Sequence, residues 1–130
     1  MAVFQSRDTR TFEAGEDLSA AQFHFVTLEA DGQVDLADAD AEQCIGVLYN
    51  QPDAAGKAAT VVVSGKIIVE AGGAITAGDE IVTNTAGEAV ELSTSSSATA
   101  VTMGYALEDA VDGQIFAMEL IQGGNVSDQS

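Results

Sequence analysis

Few side chains in this 130-residue sequence could take part in chemistry, and they stand apart along the chain. His24 is the only histidine and alternates with Phe23 and Phe25, with no second histidine or cysteine close by to complete a catalytic or metal site. Cys44 is the only cysteine, so an intrachain disulfide is excluded, and its apolar surroundings favour a buried thiol. We therefore expect His24 to be a packed or exposed strand residue, and we expect no catalytic residue, cofactor or bound metal.

Three acidic residues in the stretch "DLADADAE" are the other candidates for chemistry. Asp38, Asp40 and Glu42 follow one another at two-residue spacing, as at the start of a calcium-binding loop. The glycine that such a loop needs is missing, which favours a solvated acidic loop. The chain also has no glycine-rich phosphate-binding motif and no serine in a nucleophile elbow, so the sequence predicts that the protein is not an enzyme.

The charge of the chain limits its partners. Against 21 aspartates and glutamates stand only Arg7, Arg10, Lys57 and Lys66, which gives a formal net charge of −17. Such a surface repels phosphate backbones, so nucleic acid is not an expected partner. Mutual repulsion of the carboxylates should also weaken the fold at low ionic strength, as in proteins of salt-loving organisms, although a basic partner would explain the charge equally well. No apolar run is long enough to cross a membrane, which predicts a soluble protein without a membrane partner.

Short β-rich runs separated by turn signals fill most of the chain. Asp31-Gly32 is a strong hairpin signal, and no window keeps a helical apolar stripe. The predicted strands are QFHFVTL, EADGQVDL, CIGVLY, AATVVV, GKIIVE, DEIVTN, EAVEL, VTMGYAL and QIFAMELI, with the fourth and fifth broken at Ser64-Gly65. About nine short strands at this spacing predict an all-β fold, a compact barrel or sandwich.

The two halves of the chain repeat one another. "EAGEDLSAAQFHF" at 13–25 returns 57 positions later as "EAGGAITAGDEIV" at 70–82, and Gly46 corresponds to Gly104. Each half has a turn, a strand, a hairpin, a polar loop and a glycine-containing strand. Because one such unit cannot cover its own apolar face, we expect two related halves, 13–50 and 70–108, that pack together to close a single core.

The ordered motifs resemble those of a known family. The stretch "IGVLYNQPDAAGKAATVVVSGKIIVEAGGAITAGDEIV", with "GEDLSAAQFHFVTLEADGQV" before it and "GYALEDAVDGQIFAMELI" after it, resembles the capsid cement or head-decoration proteins of tailed viruses. The resemblance covers roughly residues 13–122. It implies a non-enzymatic shell protein, made in the host cytoplasm, that binds the exterior of the expanded capsid through the major capsid protein. It also implies homotrimers at three-fold or quasi-three-fold positions.

The resemblance also suggests how the chain is divided. In related decoration proteins the N-terminal arm becomes ordered on the capsid, and here residues 1–12 form the one positive segment. We therefore expect a capsid-binding arm at 1–12, a β domain at 13–122 and a flexible tail at 123–130. The expected capsid contacts are Phe4, Arg7, Arg10 and Phe12.

An alternative function comes from the fold class. A small β-barrel displayed on a shell could act as an adhesion module for a host-surface carbohydrate or protein. Carbohydrate sites usually rely on aromatic platforms, and the chain has no tryptophan, two tyrosines and five phenylalanines. Structural decoration of the capsid is therefore the leading prediction.

Overall fold

A computed structural model describes residues 7–97 and 99–128, with side chains described to residue 121. Within these residues, β-branched runs separated by glycine turns form nine strands. The strands are β1 (Arg7–Ala14), β2 (Phe25–Leu28), β3 (Gln33–Leu36), β4 (Gly46–Leu48), β5 (Ala58–Glu70), β6 (Glu80–Thr83), β7 (Ala89–Glu91), β8 (Thr99–Ala106) and β9 (Ile115–Asp128). Among the described residues the only helical element is a 3-10 turn at Leu92–Thr94. The all-β prediction is confirmed. Within this part of the chain, no helix has the length and apolar character that a membrane crossing requires.

The strands form one hydrogen-bonded sheet in the order β1-β3-β2-β4-β5-β9-β8-β6-β7. β1 also pairs antiparallel with β5, so β1, β3, β2, β4 and β5 make a closed circuit of paired strands. Every pairing between named strands is antiparallel except that of β1 with β3. Unpaired sheet edges can pair with strands of other chains. Because β1 pairs with both β3 and β5, the first half has no free edge at β1.

The repeat appears in the hydrogen bonds. Around Ala14, Gly15 N donates to Val34 O and Gly56 N donates to Ala14 O, both at 2.8 Å. The same two bonds recur around Ala71, from Gly72 N to Ala89 O and from Gly113 N to Ala71 O, again at 2.8 Å. The two halves therefore have the same local connections, as the sequence repeat predicts. Superposition of residues 13–50 on 70–108 stays a prediction.

The observed strands differ from the predicted ones in three places. β5 continues through Ser64-Gly65, because Gly65 still pairs with β1 and β9 despite its φ of 100°. The register with β1 shifts just before it, between Val62 and Ser64. β2 begins only at Phe25, because Phe23 has a φ of 66° and cannot be part of a strand. β1 is an additional strand, so the total of nine arises from one merger and one addition.

Two segments cross the predicted domain boundaries. β1 runs from Arg7 to Ala14, across the predicted boundary between residues 12 and 13. β9 continues to Asp128, where residues 125–128 pair with residues 99–102 of β8, so part of the predicted tail lies in a strand. The division of the chain into arm, domain and tail stays a prediction.

The core consists of small and medium apolar side chains, as the low aromatic content predicts. Its largest cluster joins the two halves, since it contains Phe25 and Val47 of the first half and Ile81 and Met103 of the second. A second cluster fills the first half around Leu18 and Val34. Because the inner sides of β5, β8 and β9 pack into this core, the core holds these strands, and therefore their outward side chains, in place.

Candidate functional site

An exposed apolar surface covers one side of β5, β9 and β8. Alternation along β5 directs Ile67 and Val69 into the core and Lys66 and Ile68 outward. In β9, Phe116, Met118 and Leu120 are likewise buried. The outward apolar side chains, together with Tyr49 beside them, are each 39–42% exposed, and we call them the outer face: Tyr49, Ile68, Tyr105, Leu107, Ile115 and Ile121.

The outer face departs from the usual pattern of an antiparallel sheet. When water covers one side of such a sheet, apolar and polar residues alternate along its strands. Here Ile68 lies beside Ala117, and Tyr105 lies beside Glu119, so only part of the outward surface is polar. Contiguous apolar surface of this kind is typical of protein-binding sites.

Two of the four basic residues border the outer face. The guanidinium carbon of Arg7 lies 5.2 Å from the centre of the Tyr49 ring, within the range of a cation–π interaction. Arg7 and Lys66 line a shallow pocket of about 160 Å³ together with Tyr49, Ile67 and Ile68. The Tyr49 ring packs edge-on against the ring of Phe23, with 6.1 Å between the ring centres. The outer face therefore combines apolar side chains with local positive charge on a strongly acidic protein.

The structure separates the predicted contact residues. Phe4 lies outside the described residues. Alternation along β1 puts Arg10 and Phe12 on the side opposite Arg7. The Arg10 guanidinium is ion-paired to Asp8 at 2.5 Å and is exposed, so part of its charge is compensated within β1.

Phe12 lies in a different depression from Arg7. It is half-buried against the core of the first half and lines a groove of about 510 Å³. The turn at 31–33 and residues 56 and 58 form the other walls of that groove. Of the predicted contacts that the structure describes, only Arg7 borders the outer face.

Two carboxylates of the acidic loop accept hydrogen bonds that stabilise the fold. The Asp40 carboxylate accepts hydrogen bonds from Ser96 N at 3.0 Å and from Ser95 Oγ at 3.1 Å. Glu42 Oε2 accepts from Asp38 N at 2.8 Å and from Ala39 N at 2.9 Å. The Asp40 bonds connect the loop at 37–43 to the segment after β7, and the Glu42 bonds lie within the loop itself.

His24 has acidic neighbours that are distant in the sequence. One ring nitrogen of His24 and one carboxylate oxygen from each of Glu70 and Glu88 lie within 4.8 Å of one another, and all three residues are half-buried. Burial raises the pKa of Glu70, a hydrogen bond with Glu88 raises it further, and His24 acts against the shift. The sequence predicts no metal partner for His24 because no ligand residue lies close to it along the chain. The fold, however, brings these two carboxylates next to it.

Cys44 is the buried thiol that the sequence predicts. Its side chain is only 1% exposed, and burial strongly raises the pKa of the thiol. Its Sγ lies 3.5 Å from the Glu42 carbonyl oxygen. A thiol in this state is a poor nucleophile.

The sequence analysis does not predict the outer face, although the sequence contains a signal for it. "KIIVE" and "IFAMELI" are nearly continuous apolar runs rather than alternating ones. Continuous apolar strands have both sides covered, by the same protein or by a partner. Which strands lie side by side, and so bring these residues together, depends on the sheet order.

Comparison with known proteins gives two findings. The head fibre gp8.5 N base of bacteriophage phi29 has the same fold, with a TM-score of 0.67, 21% sequence identity, and coverage of 89% of this chain and 95% of that one. None of the curated proteins matches the chain. Residues 4–119 match the family described as phage cement protein. The chain therefore belongs to the phage cement protein family and is a capsid-associated structural protein located on the exterior of the virion.

Proposed function

We propose that the protein binds the outer surface of the expanded capsid lattice and stabilises it, with the major capsid protein as its partner. The observation that carries the proposal is the outer face, where exposed apolar side chains lie beside Arg7 and Lys66 on a chain of net charge −17. Burial of apolar surface supplies most of the free energy of association. The basic pair favours an acidic group of the partner, which sets the orientation.

The N-terminal arm belongs to the same proposal. Residues 1–12 supply Phe4, Arg7, Arg10 and Phe12, and β1 carries the last three of these. Arg7 extends the outer face, whereas Arg10 and Phe12 offer a second contact on the other side of β1. We further propose that the protein acts without catalysis and decorates the capsid as homotrimers at three-fold or quasi-three-fold positions.

Co-sedimentation with undecorated, expanded capsids tests the proposed contacts. Ile68→Ser combined with Tyr105→Ser should reduce the bound fraction at least tenfold, because both residues are central to the outer face. Leu28→Ser is the matched control, since Leu28 is 49% exposed but lies on β2, away from the outer face. Equal binding by the double variant and the control would contradict the outer face as the docking surface.

Single charge reversals separate the two sides of β1. Arg7→Glu should weaken attachment more than Arg10→Glu does, and the difference should shrink as salt rises, because screening removes the electrostatic contribution. Loss of Phe4 and Phe12 should instead speed release, since buried apolar contacts determine residence time. Cryo-electron microscopy of the decorated capsid tests the trimer and its lattice position, and protomers docked singly would contradict that part of the proposal.

A further inference from the structure

Three side chains from separate segments meet where the two halves join. His24 precedes β2 in the first half, Glu70 ends β5, and Glu88 precedes β7 in the second half. Backbone bonds hold these segments together: Phe25 N donates to Gly87 O at 2.7 Å, and Glu70 N donates to Phe23 O at 3.0 Å. These two bonds hold the three segments that carry the cluster next to one another.

Two of the three side chains are held by neighbours outside the cluster. His24 Nδ1 lies 2.9 Å from the Gln22 carbonyl oxygen, and a proton on Nδ1 that is donated there leaves the lone pair on Nε2. Asn84 Nδ2 donates to Glu88 Oε1 at 3.1 Å, while Asn84 Oδ1 accepts from Glu88 N at 2.9 Å. Metal-binding histidines and carboxylates usually have such supporting hydrogen bonds, which orient the ligand atoms.

Two of the three side chains in the cluster are acidic. Glu70 and Glu88 are half-buried and adjacent, and Asp112 is close enough to raise the pKa of Glu70 further. A bound cation would remove the repulsion between the two carboxylates.

We infer that His24, Glu70 and Glu88 form a binding site for a divalent transition-metal ion, for which Zn²⁺ is the best match. One imidazole nitrogen and two carboxylate oxygens form a ligand set that suits Zn²⁺, with water completing the coordination. Metal–ligand distances of about 2.0–2.2 Å place tetrahedral ligand atoms about 3.5 Å apart. The ligand atoms now lie within 4.8 Å of one another, so metal binding would require the carboxylates to rotate toward the imidazole.

The position of the site suggests what the metal would do. A metal held by His24 of the first half and Glu88 of the second would cross-link the two halves across the junction. Any ion that binds only the folded state raises stability by mass action. The site is thus a structural clamp, and its role is independent of the capsid-binding proposal.

Zinc titration of the untagged, full-length protein tests the inference directly. We expect one Zn²⁺ to bind per chain in calorimetry, and a hundredfold excess over Kd to raise the melting midpoint by about 5–10 °C. Because His24 is the only histidine, its imidazole NMR signals report ligation without any mutation. Unchanged His24 signals at saturating Zn²⁺ would overturn the inference.

Matched variants separate the site from general attraction of cations to an acidic protein. His24→Gln and Glu88→Gln should each weaken zinc binding about tenfold or more. Glu80→Gln removes the same charge as Glu88→Gln from an exposed position at the start of β6, and it should bind Zn²⁺ as the wild type does. Equal loss in Glu80→Gln and Glu88→Gln would overturn the inference, as would full retention in both cluster variants. Circular dichroism of the metal-free variants confirms that each is folded.

Discussion

β1 and the second half of β5 occupy the same place in the two halves of the fold, but they use it differently. Phe12 pairs with Ala59 as Val69 pairs with Phe116, and Arg10 pairs with Val61 as Ile67 pairs with Met118. The partners in each comparison are 57 residues apart. Ile67 and Val69 are buried, whereas Arg10 is exposed and Phe12 is only half-buried.

The difference shows that strand pairing and core formation are separable in this fold. Residues 7–11 of β1 are exposed on both sides, so they contribute backbone hydrogen bonds but little buried apolar area. The equivalent residues of β5 contribute both. One half therefore closes the core with this strand, and the other leaves it available for contacts outside the domain.

A second asymmetry concerns the hairpins. Asp35 of β3 lies opposite Thr27, and its equivalent in β7 is Val90, which lies opposite Val82. Val82 and Val90 form a small cluster with Ala41 of the acidic loop, so the first half covers the outer side of the second hairpin. Asp35 and Thr27 are both only half-buried.

The largest expected effect comes from the two equivalent glycines. A Cβ on Gly46 would collide with the carbonyl of Val62, and one on Gly104 with the carbonyl of Glu119. Gly104 also has a φ of 140°, which side chains rarely adopt. Gly46→Ala should lower the free energy of unfolding by about 2–3 kcal/mol, and Gly104→Ala by about 1–2 kcal/mol more. Urea denaturation measures both, and equal losses would contradict the added backbone strain at Gly104.

The second prediction compares equivalent inward positions of β1 and β5. Ile67→Ala should cost about 2–4 kcal/mol in the free energy of unfolding, because it leaves a cavity in the main core. Arg10→Ala should change it by no more than about 0.5 kcal/mol, since its ion pair with Asp8 is exposed. Chemical denaturation of both variants measures the difference. A loss in Arg10→Ala as large as that in Ile67→Ala would mean that β1 supports the core as β5 does.

Much of the fold could be predicted from the sequence because its signals are local. The Asp31-Gly32 turn, the hairpins and the repeat follow from turn residues and alternation over a few positions. The sequence predicts an arm at 1–12, because "RDTRTF" has no buried side that its pattern could reveal. Its place in the sheet comes from backbone bonds to β5, which depend little on side-chain type.

The candidate sites needed tertiary structure for a similar reason. The outer face joins residues of β5, β8 and β9, and only the strand order makes them neighbours. His24 and Glu88 are 64 positions apart and meet because Phe25 bonds to the turn at Gly87. The sequence alone shows a single histidine with no ligand residue nearby, and only the fold places Glu70 and Glu88 beside it.

The third prediction concerns truncation. Deletion of residues 1–12 should leave a soluble, folded domain with a melting midpoint lower by about 5–10 °C, because the pairing of β1 and the packing of Phe12 are lost. Deletion of residues 1–6 retains all of β1 and therefore keeps its pairing with β5. Both truncations should bind expanded capsids less well than the full chain, and the longer one should lose most.

Thermal melts and co-sedimentation of the two truncations separate folding from docking. If the protein lacking residues 1–12 decorates capsids as fully as the intact chain, the arm has no role in attachment. The loops at 37–43, 50–57 and 93–100, together with the outer face, would then be the remaining contact candidates. If that truncation is unfolded, β1 belongs to the domain, and the predicted boundary at residue 13 is wrong.

The smallest expected effect tests the difference between Asp35 and its equivalent, Val90. Burial raises the pKa of Asp35, and the nearby carboxylates, with Glu16 the strongest, raise it further. Its Oδ1 is buried and has no hydrogen-bond partner within the described part of the chain.

A raised pKa means that the folded state favours the protonated carboxyl of Asp35. The stability that Asp35 contributes is therefore present at acid pH and is lost as pH rises through the raised pKa. Asp35→Asn should raise the melting midpoint at pH 7 by about 1–2 °C, and this gain should disappear below the ordinary pKa of an aspartate, near pH 4. Glu80→Gln, which removes one carboxylate from the exposed start of β6 in the second half, is the charge-matched control and should give a smaller gain. A gain in Asp35→Asn that is the same at every pH would show that charge at this position is not what distinguishes the two hairpins.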